Sequence, residues 1–279
     1  MRFNKEVLRP AQNQLGLLAA GFAQTFNAQN SVGTDLNGAV GGNIFTDFTD
    51  PVNMDGAWHA GVNNRGTAKL DVSFDGSPDN DYKKLLASDY DLVFSDGTYV
   101  LTRNSDKTTY TNADGHFNID GLSIQIHQNN GEPVSPEDGD RYVITPFHRL
   151  ASDLRVVASG GEKIAAASGG RVGISDNTNA LALAHLQVST VMIGGRQTFQ
   201  DAYGGMVTWV GEKTRGASIN YEAHQNIFKQ MNEQQQSISG VNLDEEASNL
   251  LQYQQAYQAA AKIIPIANNM FDALLSAIR

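Results

Sequence analysis

The sequence predicts an α+β fold, in which a long, coiled-coil-like helical rod carries an inserted all-β domain. Apolar residues recur every seven positions near both ends of the chain, whereas the middle alternates apolar and polar residues between clusters of Gly, Asn and Asp. We therefore divide the chain into four segments. They are a first core helix and turn (1–43), an inserted all-β domain (44–167), a returning helical core domain (168–239) and a terminal heptad helix (240–279).

The composition excludes several classes of protein. The 279 residues contain no cysteine, which rules out disulfides, thiolate metal sites and cysteine nucleophiles. The formal net charge of −10 argues against a nucleic-acid partner, because phosphate binding needs a basic surface. The sequence shows neither a cleavable signal peptide nor an apolar run of about eighteen residues that would predict a membrane span. Any export of this protein would therefore use no cleavable signal.

The first segment should be an amphipathic helix. Leu8, Leu15 and Phe22 are spaced by seven, and Pro10 suits the first turn of a helix over 10–30. Glycines at 33, 38, 41 and 42 then break the pattern.

The second segment should be a series of short strands joined by turns. Its clearest feature is Asp96-Gly97, which predicts a type I′ hairpin with Leu92 opposite Leu101 and Phe94 opposite Tyr99. The predicted strands are 69–74, 90–95, 98–103, 107–111, 116–119, 122–127, 141–145 and 153–158.

The third segment returns to helical periodicity. Asp176-Asn177 supplies a cap for a helical run over 180–189. A second long helix should cover 198–237, because the residues spaced by seven from Tyr203 to Ile238 are apolar except His224.

The terminal segment has the most regular apolar pattern in the chain. Its heptads need a complementary helix, from another chain or from this chain's own domain, because a helix gains most of its stability by burying an apolar face. Asn242 can cap the helix, and Pro265 predicts a kink or two shorter helices. We call the proposed assembly interface the terminal seam; it comprises Leu243, Leu250, Tyr253, Tyr257, Ile264, Phe271, Leu274 and Ile278. In the chain alone, we expect this segment to be loosely ordered, to self-associate, or to pack beside Leu15 and Phe22.

No catalytic or metal-binding pattern stands out. The six histidines lack metal-ligand spacing, and the acidic stretch 75–81 does not follow the order of a calcium loop. Glu137, Asp138 and Asp140 are better interpreted as the loop before a strand than as a catalytic carboxylate pair. We therefore predict a protein that is not an enzyme and needs no cofactor and no metal.

Several motifs resemble those of bacterial flagellar axial proteins. The stretch 239–264 is similar to the C-terminal signature shared by the rod, hook and hook-associated families. Stretches 13–38, 117–124, 139–146, 164–168 and 176–180 resemble the hook-associated protein 1 family in particular. Members of that family begin with a helical N-terminal half that pairs with the C-terminal helices, so the resemblance implies that this chain corresponds to the C-terminal half.

The resemblance implies a structural, non-enzymatic part of the flagellum that joins hook to filament. It further implies partners, namely the hook, other hook-associated proteins, neighbouring copies in a ring, and an export chaperone at the C-terminal helices. The expected location is the extracellular flagellum, reached by type III export. Two alternatives remain open: another axial protein of the hook or rod, or a secreted β-domain with glycan-binding or hydrolytic activity.

Overall fold

The computed structural model describes residues 3–75, 84–127, 136–169, 175–239 and 243–277. The chain divides into two units, Met1–Thr214 and Arg215–Arg279, and the boundary falls within a long helix. The helices are α1 (Arg9–Ser31), α2 (Leu150–Asp153), α3 (Thr178–His185), α4 (Phe199–Ser239) and α5 (Leu243–Ala277). The strands are β1 (Gly33–Thr34), β2 (Trp58–Ala60), β3 (Lys69–Phe74), β4 (Tyr90–Ser95), β5 (Thr98–Arg103), β6 (Thr109–Asn112), β7 (His116–Ile119), β8 (Leu122–His127), β9 (Arg141–Ile144) and β10 (Ala167–Ser168).

The predicted α+β architecture is confirmed. Helix α1 follows a single π-helical turn, Asn4–Leu8, and carries Pro10 in its first turn as predicted. Its buried face is lined by small residues, and a Cβ atom at Gly16 would collide with the backbone carbonyl of Phe147. The absence of a side chain at this position therefore lets α1 lie close to the segment that precedes α2.

Two buried asparagines near the end of α1 hold the segments around it. The side chain of Asn27 accepts from the backbone N–H groups of Ile44 and Phe45 at 2.9 Å each. Asn30 accepts from Ala165 N–H at 2.8 Å and donates to the Gly42 carbonyl at 2.7 Å. We call residues 44–167 the β segment. Because each buried amide bonds to backbone groups, α1 holds the chain at both ends of this segment.

The strands form two larger antiparallel sheets. One has the order β2-β9-β4-β5-β6 and the other β3-β8-β7, while β1 pairs with β10. The predicted register of the central hairpin is confirmed, with Leu92 paired to Leu101 and Phe94 to Tyr99. At its turn, Asp96 and Gly97 have φ values of 51° and 73°, as a type I′ turn requires.

The core of the first unit is continuous between sheets and helix. Both sheets contribute apolar side chains to one cluster, including Leu70 and Ile124 from one sheet and Leu92 and Ile144 from the other. The same cluster includes Ala20 and Ala23 of α1. The helical part and the β part of this unit are therefore stabilised by the same burial, and the four-segment division stays a prediction.

The predicted strand at 153–158 is wrong. Asp153 belongs to α2, and the residues after it make one isolated bridge, between Phe45 and Val156. The hydroxyl of Thr46 accepts the Arg155 N–H at 3.0 Å, so a side chain takes the place that a backbone carbonyl would hold in a longer ladder.

Smaller differences between the predicted and the observed boundaries of the elements have local causes. Strand β6 begins at Thr109 rather than at residue 107, because Lys107 adopts a φ of 63° in the preceding turn. Helix α3 begins and ends earlier than predicted. Asp176 accepts from Thr178 N–H, and its hydrogen bonds with Ser168 and Thr178 hold its pKa below the usual range of a carboxyl group. Its carboxylate therefore fixes the chain at the start of α3.

The two long helices, α4 and α5, lie where the heptad spacing predicts helices. Helix α4 begins with Thr198 and Asp201 bonded to each other's backbone N–H, and the Thr198 hydroxyl lowers the pKa of Asp201. Helix α5 is continuous through Pro265, so of the two expected outcomes the two shorter helices are wrong and the kink stays a prediction. The proposed cap, Asn242, lies outside the described residues.

Candidate assembly surface

The second unit exposes its side chains almost throughout. Over the described part of 217–274, each residue whose burial is assigned is exposed, except Asn249, which is half-buried. Isolated helices are marginal in water, and most helical stability in proteins comes from packing of an apolar face. The long helices of this unit therefore expose faces that the described residues of the unit do not cover.

The terminal seam lies in this exposed unit. Tyr257 is 78% exposed and Phe271 is 68% exposed. The other seam residues with described side chains are also exposed, namely Leu250, Tyr253, Ile264 and Leu274. Leu243 begins α5 but its side chain is not described, and Ile278 lies outside the described residues.

Helix α5 also exposes apolar residues outside the seam. Leu251, Ile263, Ile266 and Met270 are exposed, and they lie on other faces of the helix than the heptad positions. The second half of α5 is therefore apolar over more of its circumference than the seam alone, while Lys262, Asn269 and Ser276, spaced by seven, form one polar face. The heptad pattern predicts one face and does not include these residues, although their positions beside the heptad are visible in the sequence.

The part of α4 that lies in the second unit is a second apolar surface. Its large exposed residues include aromatic and aliphatic side chains, and Ile238 at its end is 80% exposed. The others are Ile219, Tyr221, Ile227, Phe228 and Met231. Large apolar side chains exposed in such number are typical of protein–protein contact sites.

The first unit has an apolar groove lined by aromatic rings. The ring of Phe22 lies 4.5 Å from Phe26, 5.0 Å from Phe45 and 5.4 Å from Phe199, centroid to centroid. Ile44, Ile164 and Leu183 extend the lining, and the groove measures about 550 Å³. Its walls are almost entirely apolar, so it suits an aliphatic or aromatic segment rather than a polar substrate.

Several residues considered for chemistry make structural contacts in the described part of the chain. The loop 136–140 precedes β9, as predicted, and the Asp140 carboxylate is buried against backbone N–H groups. His127 and His148 each face one aspartate, Asp71 and Asp89. Among the described residues, no group of three or more His, Asp or Glu side chains is placed to hold a metal ion. Of the acidic stretch 75–81, residues 76–81 lie outside the described residues.

The described helices offer no membrane-spanning segment, because none of them is both long and apolar enough.

Family comparisons match three parts of the chain. Residues 1–45 match the flagellar hook-associated protein FlgK helical domain, and residues 60–146 match the D2-like domain of flagellar hook-associated protein 1. Residues 234–277 match the C-terminal region of the flagellar basal body rod FlgEFG proteins.

Whole-chain comparisons give the same family. Flagellar hook-associated protein 1 of Salmonella typhimurium is 37% identical over 285 residues, which cover 99% of this chain and 48% of that protein. Its counterpart in Escherichia coli is 34% identical over 279 residues, with the same shares of both chains. The chain thus spans about half the length of the curated relatives it matches.

A solved structure has the same fold. The flagellar hook junction protein FlgK from Burkholderia pseudomallei superposes with a TM-score of 0.69 at 21% identity, covering 85% of this chain and 62% of that one.

Proposed function

We propose that this chain, which belongs to the flagellar hook-associated protein 1 family, is a non-enzymatic structural component of the bacterial flagellum that joins hook to filament. One observation carries the proposal: the long helices expose apolar faces over the whole described second unit, where a soluble monomer would bury them.

The proposed joint forms by burial of these faces against other axial subunits. Helix α5 exposes large apolar residues both on the seam and beside it, so it suits the innermost layer of a tubular assembly, with neighbours against its apolar side. The exposed part of α4 would lie in the next layer, and the β segment would face outwards. Burial of each large apolar side chain contributes about 1.5 to 3 kcal/mol. The six exposed seam residues alone would therefore supply roughly 10 kcal/mol or more per subunit.

The same apolar faces are exposed to solvent before the protein assembles. Exposed apolar helices promote aggregation, which supports a role for an export chaperone bound to α4 or α5 until delivery. We further propose export through the flagellar type III apparatus to the extracellular flagellum. Copies of the chain would then contact each other in a ring and bind the hook on one side and other hook-associated proteins on the other.

The runner-up is another axial protein, of the hook or the rod. The match of 234–277 to rod-protein C-termini is compatible with it, but the D2-like match over 60–146 favours the junction. The position of the labelled protein on isolated flagella distinguishes the two hypotheses. Signal confined to the point between hook and filament supports the junction, whereas signal along the hook or in the rod supports the alternative.

Substitution of the terminal seam tests the proposed function. We expect Leu250→Lys with Tyr257→Lys to abolish filament attachment, because two charges would enter the buried interface. The matched control places the same charges on the opposite face of α5, through Ser248→Lys with Gln255→Lys. Swimming and electron microscopy of filaments are the measurements.

The control variant should attach filaments, and deletion of 242–279 should not. Normal filaments on cells that carry the seam variant would refute the proposed role of this face.

A further inference from the structure

A polar cleft lies between the start of α1 and the strands β4 and β9 in the first unit. It measures about 640 Å³, and its walls come from α1, from the turn after β5 and from the start of α4. Asp91 of β4 and Val143 of β9 are paired residues on neighbouring strands, and both line the cleft. A cleft of this size between two parts of a fold is the usual setting of a ligand site.

A buried carboxylate anchors one side of this cleft. Asp89 is 5% exposed, and its Oδ1 accepts from Asn13 Nδ2 at 2.9 Å and lies 3.1 Å from His148 Nε2. Arg9 lies 3.6 Å from the other carboxylate oxygen. Asn13 is itself 3% exposed, yet its Oδ1 has no hydrogen-bond partner among the described residues. A buried amide oxygen without a partner is unusual in a folded protein and indicates that a donor is missing.

Other polar groups in the cleft are also free to bind. The side chains of Lys5, Gln14 and Asp91 have no hydrogen-bond or ion-pair partner in the part of the chain that the structure describes. The lining mixes both charges, with Lys5, Arg9 and Lys107 opposed by Asp89 and Asp91. A simple anion would be repelled by the carboxylates and a simple cation by the basic groups. A neutral ligand rich in hydroxyl groups suits both, because each hydroxyl can donate to a carboxylate or accept from an ammonium group.

An aromatic ring completes the lining. Trp209 of α4 is half-buried and faces the cleft together with Pro10, Ala87 and Val143. A large indole surface beside polar groups binds molecules that have both an apolar face and a polar edge.

We propose that this cleft binds a short, neutral saccharide of roughly two or three rings, a size that fits cavities of this volume. The apolar face of a sugar ring packs on Trp209, and its hydroxyl groups bond to Asp91, Gln14 and Lys5. The site lies on the first unit and does not depend on the assembly role proposed for α5.

Tryptophan fluorescence tests the proposal, because the chain contains two tryptophans. In the full chain carrying Trp58→Phe, Trp209 remains the sole reporter. We titrate this protein with maltotriose, cellotriose and tri-N-acetylchitotriose, each to about 10 mM, a range that covers weak binding. The expected result is a saturable change in emission for at least one of them.

Two further variants make the outcome decisive. Asp91→Ala should weaken binding by about tenfold or more, since it removes a hydroxyl acceptor from the cleft. Asp71→Ala, on a strand of the other sheet, should leave it unchanged. No saturable change with any of the three sugars overturns the proposal, and so does an equal affinity in the Asp91→Ala protein. Inorganic phosphate that produces the same saturable change would replace a saccharide site with an anion site and also overturns it.

Discussion

Asp140 shows how a surface loop of this protein depends on one side chain. Its carboxylate accepts from the backbone N–H groups of Arg65, Gly66 and Glu137 at 2.9 to 3.0 Å, and the residue is 2% exposed. It therefore joins the segment before β3 to the segment before β9. The acidic loop has a structural explanation, and no catalytic role is needed to account for it.

Substitution of Asp140 should destabilise the first unit. We expect Asp140→Ala to lower the free energy of unfolding by about 3 kcal/mol, because three backbone donors lose a charged acceptor in a buried place. Asp138→Ala, in the same loop, removes one bond from an exposed carboxylate to Asp96 N–H and should cost less than about 1 kcal/mol. Urea denaturation followed by tryptophan fluorescence measures both. Equal losses in the two variants would show that Asp140 is not the residue that holds the loop.

At the scale of single residues, the sequence alone predicts a structural feature where neighbouring residues determine it. Asp96-Gly97 fixed a turn and, with it, the pairing of Leu92 with Leu101. The heptad pattern of α5 is also local, whereas its role as an assembly interface stays a prediction. The polar cleft was not, because Asn13 and Asp89 are 76 positions apart and only the fold brings them together.

The elements of the β segment show where such prediction ends. Strands bounded by turn residues, such as β4, β5 and β8, were predicted with the correct bounds. The segment 153–158 has a strand-like pattern, but a residue 107 positions earlier, Thr46, bonds to the carbonyl of Asp153 and to the N–H of Arg155. A single-sequence pattern contains no information on such a distant competitor.

Helix α5 shows an opposite case, in which an unfavourable residue is tolerated. Pro265 lies inside the helix and has no N–H to donate to the preceding turn. Replacement by alanine removes a penalty of about 3 kcal/mol for an interior proline. We expect Pro265→Ala to increase the helical circular dichroism signal at 222 nm and to slow amide exchange in the second half of α5.

Asn268→Ala is the matched control for this helix. It places an alanine one turn later and should gain less than about 1 kcal/mol of helix propensity. If Pro265→Ala has no larger effect than Asn268→Ala, the chain around Pro265 is not helical in solution.

At the scale of the whole molecule, two properties have opposite effects on solubility. The net charge of −10 favours solubility, whereas the long helices expose large apolar side chains such as Tyr257, Phe228 and Ile238. The first unit buries its core among its own elements, but the second unit has faces that its own described residues leave uncovered. In the proposed assembly, such a subunit would gain most of its order when it meets its neighbours.

Amide hydrogen exchange of α4 and α5 tests this central claim most directly. The exchange of 215–239 and 243–277 is measured by mass spectrometry in a demonstrably monomeric sample and in isolated flagella, with α1 as the internal reference. We predict that in the monomer these helices exchange about 100-fold faster than α1, and that assembly protects them to a similar level as α1. Protection of both helices in the monomer equal to that of α1 would contradict the account, because their stability would then not require a partner.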